Sequence, residues 1–432
     1  MKKIRTRALF ATAAAAFLSM QQAAAETVVV SSRHMVDVQT GRIVNDPVVV
    51  ITDGRITAVG NKGNAMPAIP EGAKAIDLGE MTILPGLIDM HTHLASNPRY
   101  SSYLGFQFTD SFWTAVGVPN AKDMIEAGFT TVRDVGSAGY ADVGLKQAID
   151  ERLIPGPRIV PAGHALGVTG GHCDENLLPP SLDASSEGVA DSPDQFRHQV
   201  REQRKYGAEV IKVCATGGVM SRNTEPGQQQ MTDEELRAVA QEAHMWGLRV
   251  AAHAHGTEGI KAAIRAGIDT IEHASMIDDE GIKLAKERGT WLSMDIYNSD
   301  YVQAEGAKNG VLPESMRKDR EMAVVQRANF GKAYRAGVKM VFGSDAGVMP
   351  HATAGRHFTK MVELGMPPMA AIQSATRNAA EALGRERDVG TIQAGRYGDL
   401  IAVRGNPIEN IRLLENVPFV MKGGEVVKDA RQ

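Results

Sequence analysis

Cysteine is scarce in this chain. Cys173 and Cys214 are the two present in 432 residues, so no disulfide framework carries the fold. Cys214 stands two places after Lys212 in an apolar run and faces the same side. It reads as a small buried hydrophobe. Aromatic residues make up only 5% of the chain. They form no base-stacking platform, and the lysines and arginines form no stripe, which argues against a nucleic-acid partner. Low-complexity tracts and repeats of about 20–50 residues are also lacking.

No apolar run is long enough to span a bilayer. The stretch from Ala8 to Met20 follows Lys2, Lys3, Arg5 and Arg7 and precedes Ala23-Ala24-Ala25. A positive start, a short apolar centre and a small-x-small end read as a secretion signal, residues 1–25, cleaved near Ala25. No cysteine precedes Cys173, so no membrane anchor through lipid is expected. The periplasm is the expected destination.

What is present is ordinary for a soluble globular protein: 43% hydrophobic and 23% charged residues, a net charge of −4, and 44 glycines for turns between short elements. The length suits a large barrel with an accessory domain. Residues 26–81 hold short β-branched runs, with Asp53-Gly54 as a hairpin signal between two of them. Residues 390–432 return to that style, so both ends read as one small β-sandwich domain split by the middle of the chain. From 82 to 389, eight apolar runs alternate with helical patterns. The runs end near His91, Asp134, Gly163, Lys212, His253, His273, Asp295 and Asp345. Helical patterns include Asp233 to Trp246, opened by the capping-box pair Thr232 and Glu235, then Thr257 to Ala266 and Asp279 to Lys286. This alternation predicts an α/β fold, a (β/α)8 TIM-like barrel, whose chemistry sits at the C-terminal strand ends.

Those ends carry metal-ligand residue types. His91-Thr92-His93 closes the apolar run that starts at Thr82. Positions i and i+2 of a strand share a side, so both imidazoles project together and suit a metal such as zinc. Lys212 lies inside an apolar strand, where a cation is costly. It is either paired with a carboxylate or neutral and open to carbamate formation with CO2. His253 and His255 share a side of the fifth strand; His253 is the preferred ligand, and His255 would contact substrate or cap the next helix. His273 ends the sixth strand. Asp345 follows the eighth, where a carboxylate can bind metal and take a proton. Ser344 lacks the Gly-x-Ser-x-Gly context of a serine nucleophile. His164, His172, Arg222 and Tyr297 fall in loops after strands and are candidate substrate contacts. A guanidinium there could hold a carboxylate bidentately.

In order, Pro85-Gly86-Leu87-Ile88-Asp89-Met90-His91-Thr92-His93, Lys212, His253, His273 and Gly343-Ser344-Asp345 resemble the amidohydrolase superfamily, in its branch with binuclear metal centres. Gly170-Gly171-His172, His253-Ala254-His255-Gly256 and Ile271-Glu272-His273 are most similar to prolidase-like carboxydipeptidases and ochratoxin-hydrolysing amidases. Cys173 stands where those proteins usually have glycine. The resemblance implies two divalent ions, zinc by default: one on His91, His93 and Asp345, the other on His253 and His273, bridged by a carbamate on Lys212. It implies a metal-activated hydroxide with Asp345 as catalytic base and acid, acting on dipeptides or N-acyl amino acids. It further implies a homo-oligomer, in many relatives an octamer. Cyclic-amide hydrolysis, lactone or ester hydrolysis, and a non-catalytic metal-binding role are the competing readings.

Overall fold

The apolar run that begins at Thr82 folds as two strands, not one. Met81–Pro85 belongs to a β-sheet shared with the C-terminal region, and Leu87–Thr92 (β1) opens a parallel array. Gly86 divides them. A side chain there would run into that of Thr130 on the neighbouring strand, and the Gly86 amide donates to Asp399 O at 2.9 Å. The computed structural model describes residues 26–63 and 65–431. The expected secretion signal lies outside them.

The array continues with Phe129–Asp134 (β2), Arg158–Pro161 (β3), Val210–Cys214 (β4), Arg249–Ala254 (β5), Thr270–His273 (β6), Trp291–Ser293 (β7) and Met340–Val341 (β8). β1 to β3 form one parallel sheet and β4 to β8 another. Isolated parallel bridges meet at both seams, Leu166 with Val213 and Thr92 with Ala346. Side chains alternate as the strand period requires. Ile211 and Val213 of β4, Val250, Ala252 and Ala254 of β5 and Ile271 of β6 join the apolar core. Between them, Lys212, His253 and Glu272 point to the other side and are buried.

Helices follow the predicted order: Asp233–Met245, Thr257–Ala266 and Asp279–Arg288. The capping box forms: Thr232 Oγ1 accepts from the Glu235 amide at 3.2 Å, and Glu235 Oε2 accepts from the Thr232 amide at 2.8 Å. Among the described residues no helix is long and apolar enough to cross a membrane.

The chain ends meet. A four-stranded sheet holds Thr27–Ser31, Pro47–Thr52, Arg55–Asn61 and Lys74–Asp77. A six-stranded sheet places Leu400–Arg404 beside Met81–Pro85 and extends to Glu425–Asp429 on one side and Arg42–Asn45 on the other. Val30, Val49 and Ile51 of the first sheet share an apolar core with Ile83, Leu400 and Phe419 of the second.

Cys214 is not a lone small hydrophobe, and this corrects the sequence expectation. It is disulfide-bonded to Cys173, with Cα atoms 5.9 Å apart. The physical cause is the path of the loop after β3. Its Leu166 amide donates to Lys212 O and its Leu166 carbonyl accepts from the Cys214 amide, both at 2.8 Å, which lays the loop along β4.

Candidate metal centre

The six candidate ligands, drawn from five of the eight strand ends, line one cavity of about 410 Å3: His91, His93, Lys212, His253, His273 and Asp345. His91, His273 and Asp345 each offer one ligand atom, all within 4.8 Å of one another, and His253, His255 and His273 do the same. Asp345 Oδ1 lies 3.5 Å from His91 Nε2 and 3.4 Å from His93 Nε2. The turns that bring these groups in are strained. His273, Ala274 and Asp345 adopt φ of 68°, 47° and 52°, a region that costs a non-glycine residue about 1–3 kcal/mol.

The donor set fits divalent metal. His91 Nδ1 is 3.0 Å from Glu272 Oε2, and His273 Nδ1 is 2.8 Å from Asp295 Oδ1. His93 Nδ1 is 2.9 Å from the Gly136 carbonyl. Each tether occupies one ring nitrogen and leaves Nε2 for the centre, the arrangement that orients metal-binding imidazoles. His253 and His255 are tethered too, His253 Nε2 to Gly217 O at 3.2 Å and His255 Nδ1 to Ser275 Oγ at 2.8 Å. Each keeps one nitrogen, and their rings stand 4.6 and 4.5 Å from that of His273. His255 does not cap the next helix through its side chain; the cap is Gly256.

Electrostatics favours neutral imidazoles at His91, His93 and His253. Burial, with the charge of Lys212, holds His91 well below the ordinary imidazole value and carries His93 down to about 4. Burial, with the charge of His172, lowers His253 in the same way. His273 is raised despite its burial, because Asp295 pairs with it. Burial pushes the Lys212 ammonium down to about 8, against the charges of Glu272 and Asp345. Those carboxylates pair elsewhere: Glu272 with Arg133 and His91, Asp345 with His91 and His93. Burial, with the Asp295 charge, lifts Asp345 to about 7, against His273 and Lys212.

Of the expected substrate contacts, His172 and His255 line the cavity. The His172 ring stacks on that of His253 at 4.0 Å, and its Nδ1 lies 2.8 Å from Ser221 Oγ. His164, Arg222 and Tyr297 are not among the lining residues. His164 packs its ring 4.2 Å from Tyr140. Arg222 donates to the Tyr103 hydroxyl at 2.9 Å, and the Tyr297 hydroxyl accepts from Arg356 at 2.7 Å.

The residues that sequence reasoning missed are the tethers. Arg133 Nη2 donates to Glu272 Oε1 at 2.6 Å, fixing the group that holds His91. Gln326 Nε2 and Asn298 Nδ2 donate to Asp295, both at 2.9 Å, and Asn298 reaches Asp345 Oδ2 at 3.2 Å. Asp295→Asn should weaken metal retention about 10–100-fold, the scale for an outer partner of a metal-binding histidine. Titration against a competing chelator measures it; unchanged retention would show that Asp295 does not orient His273.

Imidazoles and one carboxylate at the C-terminal ends of parallel strands, each ring fixed from behind and a buried lysine among them, form a site that could hold divalent metal. The chain belongs to the amidohydrolase family, whose model matches residues 82–427. It is a hydrolase acting on carbon–nitrogen bonds. The ochratoxinase of Aspergillus niger is 33% identical over 374 residues, 80% of this chain and 75% of that protein. Its crystal structure superposes with a TM-score of 0.81 at 31% identity, covering 94% of this chain and 96% of that one. A Xaa-Pro dipeptidase with methionine bound in its active site gives a TM-score of 0.86 at 36% identity, covering 93% and 99%. A prolidase complexed with N-methylphosphonate-L-proline gives 0.86 at 32%, covering 93% and 100%.

Proposed function

We propose that this enzyme hydrolyses the amide bond of dipeptides or N-acyl amino acids, ochratoxin-like amides included, and releases the C-terminal residue. The observation that carries the reading is the convergence of His91, His93, Lys212, His253, His273 and Asp345 on one cavity, in a chain related to ochratoxinase and prolidase. The eight strands are read as a (β/α)8 barrel closed through its two bridged seams, and the split β-unit as a sandwich of residues 26–81 and 390–432. His91, His93 and Asp345 would hold one divalent ion, zinc by default. His253 and His273 would hold the second, with carboxylated Lys212 between them. Bound metal would supply Lewis acidity and lower the pKa of water at the site.

The chain's own groups do the rest. Asp345 takes the proton of the attacking water and passes it to the leaving amine nitrogen. Its Oδ2, held by Asn298, keeps the carboxylate aimed for both steps. His172 and His255, fixed by Ser221 and Ser275, are placed to bind the substrate carbonyl or carboxylate. Residues 1–25 are read as a secretion signal leading to the periplasm, and the mature enzyme as a homo-oligomer.

The test is release of free amino acids from a library of dipeptides and N-acyl amino acids, with a chelator-treated control. Chelator-sensitive release with a clear preference at the C-terminal residue is expected. Full activity in metal-free protein would sink the metal reading, and no release by metal-loaded protein would sink the substrate class.

A further inference from the structure

One wall of the cavity takes no part in the chemistry at the strand ends. Ser299 of helix Asn298–Glu305 and Asp319 and Met322 of helix Pro313–Arg335 form it. Asp319 is 5% exposed. Its Oδ1 accepts from Ser299 Oγ at 2.8 Å and its Oδ2 from Gln303 Nε2 at 2.7 Å. A carboxylate offers about four acceptor positions, so these neutral donors fill half of them.

Among the described residues the nearby cations have their hydrogen bonds elsewhere. Lys318 donates to the carbonyls of Ser221 and Thr224 at 2.6 and 2.9 Å. Arg320 donates to Gln303 Oε1 at 3.2 Å, and Arg327 pairs with Asp300 at 3.0 Å. Burial raises the Asp319 pKa, against the two hydrogen bonds; the Asp295 charge adds to the rise, and the Arg327 charge works against it at a distance. A buried carboxylate without a cation is costly. Of the other aspartates of the lining, Asp295 is paired with His273, and Asp345 faces His91 and His93 in the cluster itself. Arg222, the guanidinium expected to meet a substrate anion, is held by Tyr103 away from the lining. The wall facing the metal-ligand cluster is therefore built to receive positive charge.

We propose that Asp319 is a specificity-determining residue that binds an ammonium group of the substrate, either the α-ammonium of a dipeptide or a basic side chain. The proposal rests on the amidase reading. It predicts that a cationic substrate is preferred to its neutral N-acylated counterpart. In a water-poor cavity a charge-assisted hydrogen bond of this kind is worth about 10- to 100-fold in kcat/KM.

The experiment compares matched pairs with metal-loaded wild type, Asp319→Asn and Asp319→Glu. Gly-Phe against N-acetyl-Gly-Phe tests the α-ammonium, and N-acetyl-Lys-Phe against N-acetyl-norleucyl-Phe tests a side-chain cation. The wild type should favour the cationic member of at least one pair, mainly through a lower KM, and the pair that responds names the source. Asp319→Asn should bring that ratio close to one, and Asp319→Glu should restore part of it. The ratio within one variant cancels losses of fold or metal. A wild type without preference, or an Asp319→Asn ratio equal to the wild type's, overturns the proposal while turnover of the acetylated members leaves the amidase reading standing. If no member is cleaved, the amidase reading falls, and calorimetric binding decides for Asp319: tighter binding of Gly-Phe than of its acetylated form, lost in Asp319→Asn, supports it, and equal binding refutes it.

Discussion

Asp345→Asn lowers kcat by about 10²–10⁴-fold, the range for loss of one general acid–base group, in a protein that stays folded. The carboxylate stands beyond β8, where its amide donates to His91 O at 2.7 Å. One oxygen faces the imidazoles of His91 and His93 and the other accepts from Asn298. An amide has the same shape but cannot carry the proton from water to the leaving nitrogen. It also has a single acceptor. Turned one way, its NH2 meets the Asn298 NH2; turned the other, it puts a donor in place of the oxygen that would face a metal. Steady-state kinetics with metal content measured on the same sample checks this. Near-wild-type kcat at full metal loading would remove Asp345 from proton transfer.

Arg133→Met should cost about 3–5 kcal/mol of stability, the penalty for removing one partner of a buried ion pair. Arg133 is 1% exposed and Glu272 0%. Its guanidinium donates to Glu272 Oε1, Thr270 Oγ1 and the Met90 carbonyl at 2.6, 2.9 and 2.6 Å. Burial works to raise the Glu272 pKa, but the Arg133 charge and the contact with His91 hold it well below the usual carboxylate range. Without the arginine, Glu272 is left charged in the interior or must take a proton. Adding Glu272→Gln to Arg133→Met should recover much of the loss, since no charge then stays buried without its partner. Urea unfolding of the single and double variants measures both. A single variant as stable as wild type would show that the pair contributes specificity alone.

The order of the eight strands was legible because their apolar runs and the helical patterns between them have different periods. His91, His93, Lys212 and His253 were legible as polar side chains in apolar strands, whose period sets each of them on one side; that they gather round one cavity with His273 and Asp345 is what the structure adds. Glu272 left a similar signal, a carboxylate between Ile271 and His273 in a buried strand, and Arg133 left its counterpart in β2. Reading the two as one pair would have found the tether. Loop positions left no such signal. Arg222 meets Tyr103 across 119 positions, and no local pattern encodes that contact. The Cys173–Cys214 bond spans 41 positions and depends on how the loop after β3 lies along β4. The break at Gly86 was hidden because both strands around it are apolar.

The shared sheet imposes an order on synthesis. Thr82 Oγ1 donates to Gly405 O across 323 positions, beside the strand pairing of Met81–Pro85 with Leu400–Arg404. At roughly 5–20 residues per second, a ribosome needs about 15–65 s to make the chain between them. Through that interval Ile83 and Leu84, both fully covered in the finished protein, have a sheet edge without its neighbour, the kind of edge that pairs with other chains. A nascent chain that stalls before residue 400 therefore leaves the ribosome with an open, sticky margin near its beginning.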